Sequence, residues 1–217
     1  MMELSYTLLS DGSSDKALIP ILNWLLRNNL NNCAVQAQWA DLRSLEKSLR
    51  DTFKKRIELS LELYPCELLF IHRDAERDSH QDRVNEIYEA VNQVESSFKI
   101  PAVCVVPVRM TEAWLLFDIA ALRTAVSNPN GKIALQLPNT SKLEQEPDPK
   151  KTLHELLRQA SGLSSRRLKR FSVNARTHRV AELIDDFGPL RSLPAFKSLE
   201  SELGAVIQAQ GWDLLQS

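Results

Sequence analysis

The fold of this chain is decided by the stretch Leu68-Leu69-Phe70-Ile71-His72-Arg73-Asp74-Ala75-Glu76-Arg77-Asp78. Its first five residues are typical of a buried β-strand, and the strand ends in three acids that stand two residues apart. In α/β proteins, functional groups collect just outside the carboxyl ends of parallel strands. Three carboxylates at such a place must be solvated, paired or bound to a cation, and Mg²⁺ prefers oxygen ligands of this kind. The stretch therefore predicts a central strand with a metal site at its end.

Strand and helix patterns alternate on both sides of this stretch. Further strands are predicted from Leu4 to Ser10, from Cys33 to Trp39 and from Ala102 to Val108. The helices predicted between the strands begin after Asp15 and run from Leu42 to Leu63 and from Gln81 to Phe98. Such alternation predicts an α/β fold with a Rossmann-like core of about four mostly parallel strands flanked by helices.

The pattern changes after Thr111. Residues 111–125 predict one more helix, with Trp114 in the core, and residues 126–149 are rich in Asn, Pro, Lys and Glu. Beyond them only helices are predicted, over residues 150–161, 164–171, 176–187 and 194–209. We therefore expect three parts: an α/β core at 1–125, an exposed loop or insertion at 126–149, and a helical basic C-terminal portion at 150–217 packed on the core.

The composition is that of an ordinary globular protein. The chain has 217 residues, 43% of them hydrophobic and 25% charged, and a net charge of -1, which excludes a chain that binds polyanions over its whole surface. The charges are unevenly spread, however. Residues 150–180 contain nine Lys and Arg against one acid, and residues 74–95 contain seven acids against two Arg. One region is suited to phosphates and the other to cations.

The cysteines and the hydropathy predict where the protein resides. Cys33, Cys66 and Cys104 lie in apolar strand-like runs and form no Cys-x-x-Cys pair, which predicts buried, reduced thiols and no zinc site. The N-terminus lacks the features of a signal peptide, and no apolar stretch is long enough to span a membrane. We expect a cytoplasmic protein without membrane contact; the sequence leaves its oligomeric state open.

Two further groups of acids stand at predicted strand ends. Asp11 and Asp15 flank a turn in which Gly12 allows a tight bend and leaves room for a ligand, and Glu112 follows the fourth strand. Each group has a structural alternative. Asp15 can cap the helix that follows, Glu112 can lie in the first turn of a helix that Thr111 caps, and the other acids can form a solvated loop. Because all three groups stand at strand ends, we favour a common metal site.

Basic residues suited to a phosphate backbone lie mostly in the C-terminal portion. Arg73 is an exception: it either contacts a phosphate or neutralises the acids beside it, whereas His72 is more typical of a buried core histidine. The C-terminal candidates for nucleic-acid binding are Arg166, Arg167, Lys169, Arg170, Arg176 and Arg179. Their alternative is a solvated helix face or a surface for an acidic partner. No Walker A motif is present, so any ATP hydrolysis must come from another protein.

Two of these motifs resemble those of Toprim domains, which occur in primases, in type II and VI topoisomerases and in overcoming-lysogenization-defect nucleases. The turn Asp11-Gly12-Ser13-Ser14-Asp15 resembles their Glu-Gly-x-Ser-Asp turn, with Asp11 in place of the usual Glu. Asp74-Ala75-Glu76 resembles their Asp-x-Asp motif, with Glu76 as the longer second acid. This likeness covers roughly residues 4–118 and implies a compact sheet of about four parallel strands with helices on both sides.

A closer resemblance covers nearly the whole chain. It is to the uncharacterised bacterial family called domain of unknown function 4276, which is itself Toprim-like. The resemblance rests on Val108-Arg109-Met110-Thr111-Glu112-Ala113-Trp114-Leu115 and on Arg179-Val180-Ala181-Glu182-Leu183-Ile184-Asp185-Asp186-Phe187 continuing to Pro194-Ala195-Phe196.

The resemblance implies a phosphodiesterase, a nuclease that acts on DNA or RNA with Mg²⁺ or Mn²⁺. Its catalytic residues would be Asp11, Asp74 and Glu112. Its metal ligands would be Asp11, Asp15, Asp74, Glu76 and Asp78. Related proteins are often encoded beside ABC-type ATPases in anti-phage or restriction-like systems, which suggests such a partner. Two alternatives stay open: a non-catalytic Toprim-like module that docks a partner ATPase or nucleic acid, and an enzyme for a small phosphorylated substrate.

Overall fold

A four-stranded sheet forms the centre of the protein. The computed structural model describes residues 2–95, 98 and 100–213. The strands are β1 (Met2–Leu9), β2 (Cys33–Trp39), β3 (Leu68–His72) and β4 (Ala102–Val105). They lie in the order β2-β1-β3-β4, and all three neighbouring pairs are parallel. The predicted α/β fold with a parallel, Rossmann-like core is confirmed.

Helices cover the sheet and make up the C-terminal portion. The α-helices in the described residues are α1 (Leu18–Asn29), α2 (Phe53–Leu63), α3 (His80–Asn92), α4 (Ile119–Ala125), α5 (Pro149–Ser161), α6 (Ser165–Leu168), α7 (Val173–Leu183) and α8 (Pro194–Ala209). Short 3-10 helices cover Ser13–Ala17, Lys47–Arg50, Thr111–Leu115, Thr140–Gln145 and Gly188–Ser192.

The two faces of the sheet bury separate hydrophobic clusters. Because successive strand residues point to opposite faces, Tyr6 and Phe70 lie on one side, while Leu69 and Ile71 lie on the other. The larger cluster contains Tyr6, whose ring packs edge-on against Phe70 at 5.1 Å, together with α1 and the C-terminal helices. The smaller cluster packs against α2 and α3. Both faces of the parallel sheet are therefore covered, as such sheets require.

The C-terminal helices pack on this core. Trp114, fully buried as predicted, contacts Phe196 of α8 edge-on at 5.3 Å. At the edge of the sheet, the Glu202 carboxylate of α8 accepts hydrogen bonds from the Cys104 backbone N–H at 2.8 Å and from the Tyr88 hydroxyl at 2.6 Å. Helix α8 thus covers the polar edge of β4, and the C-terminal portion shares one hydrophobic cluster with the sheet.

Two helices are shorter than the sequence predicted, because capping side chains interrupt them. The helix expected from Leu42 to Leu63 begins only at Phe53, where the Thr52 hydroxyl accepts a hydrogen bond from the Lys55 backbone N–H. Residues 111–125 likewise form a 3-10 helix and then α4, which begins where the Asp118 carboxylate accepts from the Ala121 N–H at 2.9 Å.

Other predicted bounds also differ from the structure. Five observed elements are displaced from their predicted ranges or are shorter. They are β1, α3, β4, α6 and α7, which were expected at 4–10, 81–98, 102–108, 164–171 and 176–187, respectively. Residues 96 and 97 of the second range lie outside the described residues. The predictions 33–39, 68–72 and 194–209 match the observed elements, and 150–161 misses only Pro149.

The segment 126–149 is less exposed than expected. Most of its residues are accessible, but Leu143 is fully buried and Leu135 is nearly so, and both belong to the larger cluster. In addition, the Asn128 side chain donates a hydrogen bond to the Ala160 carbonyl at 2.8 Å. The segment is therefore anchored on α5, although its many polar residues predicted an exposed loop.

The cysteines are free thiols, and only one of them is buried. Cys104 lies on the edge strand β4 and belongs to the smaller hydrophobic cluster, where burial raises the pKa of its thiol. Cys33 and Cys66 are half-buried, so the prediction of burial is wrong for these two. Cys33 begins the edge strand β2, whose alternating residues are partly open to solvent. Among the described residues, no helix combines the length and the apolar character needed to cross a bilayer.

Helix α5 ends at a glycine, Gly162, whose left-handed backbone conformation can be tested by substitution. Gly162 adopts a left-handed φ of +62°, and a Cβ added there would lie 3.4 Å from the Asn128 Nδ2 atom. We expect Gly162→Ala to lower the free energy of unfolding by about 1 kcal/mol. Gly204→Ala, inside α8 where a Cβ would meet nothing within 4 Å, is expected to raise it by about 0.5–1 kcal/mol. Urea denaturation measures both; unchanged stability of the first variant would contradict this helix end.

Candidate active site

A cavity of about 200 Å³ lies at the carboxyl ends of β1 and β3. Four predicted site residues line it: Asp15, Asp74, Glu76 and Glu112. We call it the carboxylate cavity. The chain leaves β1 toward β2 on one side and leaves β3 toward β4 on the other, so the cavity lies at the switch point where parallel sheets bind ligands. The structure thus brings together acids from three separate chain segments.

Asp74 follows β3 directly, and the turn that begins at Thr111 fixes its carboxylate. The Oδ1 atom accepts hydrogen bonds from the Thr111 backbone N–H at 2.9 Å and from its hydroxyl at 3.3 Å. Burial raises the pKa of the Asp74 carboxyl to about 6; the His72 imidazole opposes this rise, while the carboxylates of Asp15 and Glu112 add to it. A cation bound nearby would stabilise the charged form of such a buried carboxyl group.

His72 is buried, as its place on a strand predicted, but it also faces the carboxylate cavity. Its Nδ1 atom lies 2.9 Å from the Val105 carbonyl oxygen, which can only accept, so Nδ1 carries a proton. The Nε2 atom lies 3.5 Å from Asp74 Oδ1 and 3.9 Å from Asp15 Oδ2. His72 is therefore a satisfied core residue on one nitrogen and a neighbour of two acids on the other.

Asp15 is a helix-capping residue, though not in the way the sequence predicted. It lies at the third position of the 3-10 helix 13–17, and its Oδ2 atom accepts a hydrogen bond from the Gly12 backbone N–H at 2.9 Å. The first residue before α1 is Ala17, which offers no side-chain cap. The Asp15 carboxylate is nevertheless buried against the cavity, because only 7% of the residue is exposed. Capping and lining the cavity are compatible roles.

Glu112 lines the carboxylate cavity on the side of α5. It lies in the first turn of the 3-10 helix 111–115, as the structural alternative predicted, and is 7% exposed. Its Oε1 atom lies 3.7 Å from the Nζ atom of Lys150, the second residue of α5. The first turn of α5 therefore brings a cation next to a buried acid of the core.

Asp11 lies at the entrance of an adjoining cavity of about 300 Å³, which also contacts Asp15 and Asp74. Two arginines pair with its carboxylate: Arg56 at 2.7 Å and Arg73 at 3.2 Å. About half of the Asp11 side chain remains exposed. Its charge is therefore balanced by the protein, unlike that of Asp74.

The rim of the site contains two residues with left-handed backbones. Glu76 has a φ of +53° and Arg109 a φ of +65°, which non-glycine residues rarely adopt. The Glu76 backbone N–H donates to the Arg109 carbonyl at 3.0 Å, so the two loops brace each other. Strained backbone of this kind costs about 1–3 kcal/mol per residue and collects at functional sites.

Asp78 and Arg73 are held by ion pairs of their own. Asp78 is exposed and pairs with Arg83 at 2.6 Å, and it lines neither the carboxylate cavity nor its neighbour. Arg73 pairs with Asp11 and with Glu86 at 2.9 Å. Of the two readings that the sequence left open for Arg73, the contacts match neutralisation of acids.

The six basic C-terminal candidates do not line the cavities described so far. Arg166, Arg167, Lys169 and Arg170 are exposed on and after α6. Arg176 is half-buried: it donates to the Ala125 carbonyl at 3.3 Å, and its guanidinium lies over the ring of Phe171. Arg179 is exposed and pairs with Glu182 at 2.9 Å. Binding to nucleic acid through these residues stays a prediction, and for Arg176 the structure indicates a packing role.

Several polar residues of α5 and α7 approach the site, although no role there was predicted for them. Lys150 and Thr177 line the carboxylate cavity, and His154, Asn174 and His178 line a cavity next to it. The spacing of these polar residues along the sequence indicates their position, because residues three or four apart lie on one face of a helix. A polar stripe at 150 and 154, and another at 174, 177 and 178, would have predicted two polar faces that meet.

The donor atoms of the carboxylate cavity suit a hard cation, although the side chains do not converge on one point. Within residues 2–95, 98 and 100–213, no group of three or more His, Cys, Asp or Glu residues is arranged to hold a metal ion. Mg²⁺ often takes only one or two protein carboxylates and completes its shell with waters and substrate phosphates. The oxygens of Asp15 and Asp74, which both lie within 3.9 Å of the His72 Nε2 atom, fit such a partial shell.

The fold and the site define an α/β protein with a parallel sheet and an acidic cavity at its switch point. Comparisons of the chain with protein-family models, curated proteins and solved structures found no match. The resemblance to Toprim domains and to domain of unknown function 4276 therefore stays a prediction from the sequence.

Proposed function

We propose that the protein is a phosphodiesterase that cleaves DNA or RNA with Mg²⁺ or Mn²⁺. The proposal rests on the placement of Asp15, Asp74 and Glu112 along one cavity at the switch point. The raised pKa of Asp74 supports it, because a buried carboxyl beside two other acids is stabilised in its charged form by a bound cation.

Residues in and beside the carboxylate cavity would bind the metal, orient a cation and transfer a proton. Asp74 and Asp15 would hold the metal, whose chemistry is to polarise a phosphate and lower the pKa of a bound water. Glu112 would orient Lys150, which lies 3.7 Å away and is free to approach a phosphate oxygen. His72 would hold or accept a proton at Nε2, beside Asp74, while Val105 fixes its ring.

The roles predicted for three other acids change under this proposal. Asp11, balanced by two arginines, would position Arg73 at the entrance rather than bind metal or act as a base. Glu76 would stand at the rim and reach a metal only through water, since its side chain is exposed. Asp78 would have no part in the reaction, because it lines neither cavity and its carboxylate is paired with Arg83.

A partner is part of the proposal. We place the protein in the cytoplasm, as its cysteines and its hydropathy predict. On the sequence resemblance alone, we propose that it is the effector of an anti-phage or restriction-like system with an ABC-type ATPase. The competing function is a non-catalytic module that docks the ATPase or nucleic acid. The ion pairs of Asp11 and Asp78 favour this second function in one respect, because they balance acids that a two-metal nuclease would use.

Cleavage assays with purified protein test the proposal. Single- and double-stranded DNA, RNA and tRNA are incubated with Mn²⁺, and with EDTA as the control. Metal-dependent cleavage of any of these polymers is the expected result. If Mn²⁺ binds but no polymer is cleaved, with or without added ATPase, the binding module replaces the nuclease.

The exposed arginines of α6 lead to a separate prediction. Reversal of charge by Arg166→Glu with Arg167→Glu is expected to raise the apparent KM for a polynucleotide about tenfold and to reduce the salt slope of binding by about 2. The control reverses two lysines on α2, the half-buried Lys54 and the exposed Lys55, on the other face of the sheet. Equal effects of both pairs would indicate general charge repulsion and exclude α6 as a phosphate contact.

A further inference from the structure

A third cavity, of about 370 Å³, opens beside the carboxylate cavity. We call it the α5–α7 cavity, because Lys150 and His154 of α5 face Asn174, Thr177 and His178 of α7 across it. It shares Ser14, Glu112, Lys150 and Thr177 with the carboxylate cavity, so the two form one continuous groove.

The lining of the α5–α7 cavity is suited to an anion. Glu112 is its one acid among the lining residues, and Lys150 lies 3.7 Å from that carboxylate. Apart from Ala175, the remaining side chains are an ammonium, two imidazoles, an amide and three hydroxyls, all of which can donate hydrogen bonds. Among the described residues, no group of three or more His, Cys, Asp or Glu is arranged to hold a metal ion, whereas a tetrahedral oxyanion would find many donors in this cavity.

The N-terminus of α7 adds backbone donors to this lining. Asn174 and Ala175 belong to the first turn of the helix and line the cavity. The Ser172 side chain makes no capping hydrogen bond, and the first turn contains no acid. The first N–H groups of a helix lack partners within the helix and carry the positive end of its dipole, which favours anions.

Thr177 gives independent evidence that a ligand belongs here. Only 6% of the residue is exposed, and its Oγ1 atom has no hydrogen-bond partner among the described protein groups. Leaving a buried hydroxyl without a partner costs about 1–3 kcal/mol. Since Thr177 lines both cavities, a ligand oxygen in the groove would satisfy it.

We infer that the α5–α7 cavity is a second anion subsite, which holds a phosphoryl group of the substrate next to the carboxylate cavity. The inference rests on the proposed function for the identity of the substrate, but not for the binding of phosphate itself. It assigns phosphate contacts to α7 through Asn174 and Thr177, on the face opposite to the packed Arg176. One subsite would hold a phosphate that is not cleaved, while the carboxylate cavity holds the one that is.

The test is a titration of the full chain with inorganic phosphate in EDTA, followed by NMR of the histidine imidazoles. The chain has four histidines, of which His154 and His178 line the cavity and His80, on α3, serves as an internal reference. We expect saturable shifts of His154 and His178 and none of His80. The absence of saturable shifts at both cavity histidines would overturn the inference.

A single substitution makes the test specific. Asn174→Asp places a carboxylate at the second position of α7, and we expect it to weaken phosphate binding about fivefold through charge repulsion. The helix itself should not suffer, because an acid in a first turn stabilises a helix. Gln81→Glu makes the same change of charge at the second position of α3 and should leave the affinity unchanged. Equal weakening by both variants would refute a local subsite.

Dinucleotides with and without a 5′-phosphate identify the source of the phosphoryl group. Shifts of His154 and His178 by both compounds would indicate a bridging phosphodiester, and shifts by the phosphorylated one alone would indicate a terminal phosphate. Shifts by inorganic phosphate alone would overturn the role in substrate binding. Because the titration involves neither metal nor turnover, a bound phosphate without any nuclease activity would refute the proposed function and leave the subsite in place.

Discussion

Asp74→Asn is expected to lower the rate of Mn²⁺-dependent cleavage at least about 100-fold, because the metal supplies several kcal/mol of transition-state stabilisation and each 1.4 kcal/mol is a factor of ten. The substitution keeps the shape of the side chain and an oxygen for the Thr111 N–H, which Asp74 now binds at 2.9 Å. What it removes is the negative charge of the buried carboxyl. The loss of cleavage would then report on the metal site rather than on the fold.

Asp78→Asn is the matched control for this variant. Both residues follow β3 and both changes remove one carboxylate, but Asp78 is exposed, pairs with Arg83 and lies outside the cavities. We expect Asp78→Asn to retain the wild-type rate within about threefold, because Asp78 is the exposed member of its pair and Arg83 keeps Glu86 as a partner. Equal losses in the two variants would contradict the assigned site, and retained cleavage in Asp74→Asn would exclude Asp74 as a catalytic residue.

Mn²⁺ binding, measured by calorimetry or by electron paramagnetic resonance, separates two explanations of a lost rate. If Asp74 is a ligand, Asp74→Asn should weaken Mn²⁺ binding together with the rate. Unchanged Mn²⁺ affinity with lost cleavage would instead assign Asp74 to proton transfer with His72, whose Nε2 atom lies 3.5 Å away.

The strands were predicted well because their signals are local. Residues 33–39 and 68–72 match β2 and β3, since short apolar runs bounded by polar residues have few alternative structures. Helix bounds failed where a side chain competes for backbone groups. Thr52 and Asp118 each accept a backbone N–H and start a new helix inside a run that has helical periodicity.

The acidic site was predictable in part for a topological reason. Asp15, Asp74 and Glu112 each follow a strand, and parallel strands bring their carboxyl ends to one edge of a sheet. Which acids are balanced by arginines depends on contacts between distant segments. The pair of Asp11 with Arg56, 45 positions away, has no local signal in the sequence.

The C-terminal contribution to the site was missed for a related reason. A high density of Lys and Arg drew attention to residues 166–179, but density does not tell which helix face meets the core. The packing of α7 against the 3-10 helix 13–17 turns Thr177 and His178 toward the groove, while Arg176 reaches Ala125. Helical spacing, rather than charge count, was the informative property.

Asp74→Asn is also expected to stabilise the protein at high pH, although it removes activity. The pKa of Asp74 is raised to about 6 in the folded state, against about 3.9 for an unfolded chain. The folded state therefore binds the proton more tightly than the unfolded state, so the stability contribution of Asp74 is fully present below pH 4 and is lost as the pH rises through about 6. At pH 8 the charged Asp74 is destabilising, and its neutral replacement is not.

The expected gain is about 2 kcal/mol at pH 8 and close to zero at pH 4. Two pKa units correspond to about 2.7 kcal/mol, which we reduce because solvent screens a partly open group; 27% of the Asp74 side chain is exposed. Urea denaturation at both pH values, in EDTA so that no metal offsets the charge, measures the difference. Asp78→Asn should change the free energy of unfolding by less than about 0.5 kcal/mol at either pH. A residue whose loss removes activity and adds stability is one that the fold keeps for function, whereas equal stability of Asp74→Asn and wild type at pH 8 would mean that Asp74 is not held in an unfavourable charged state.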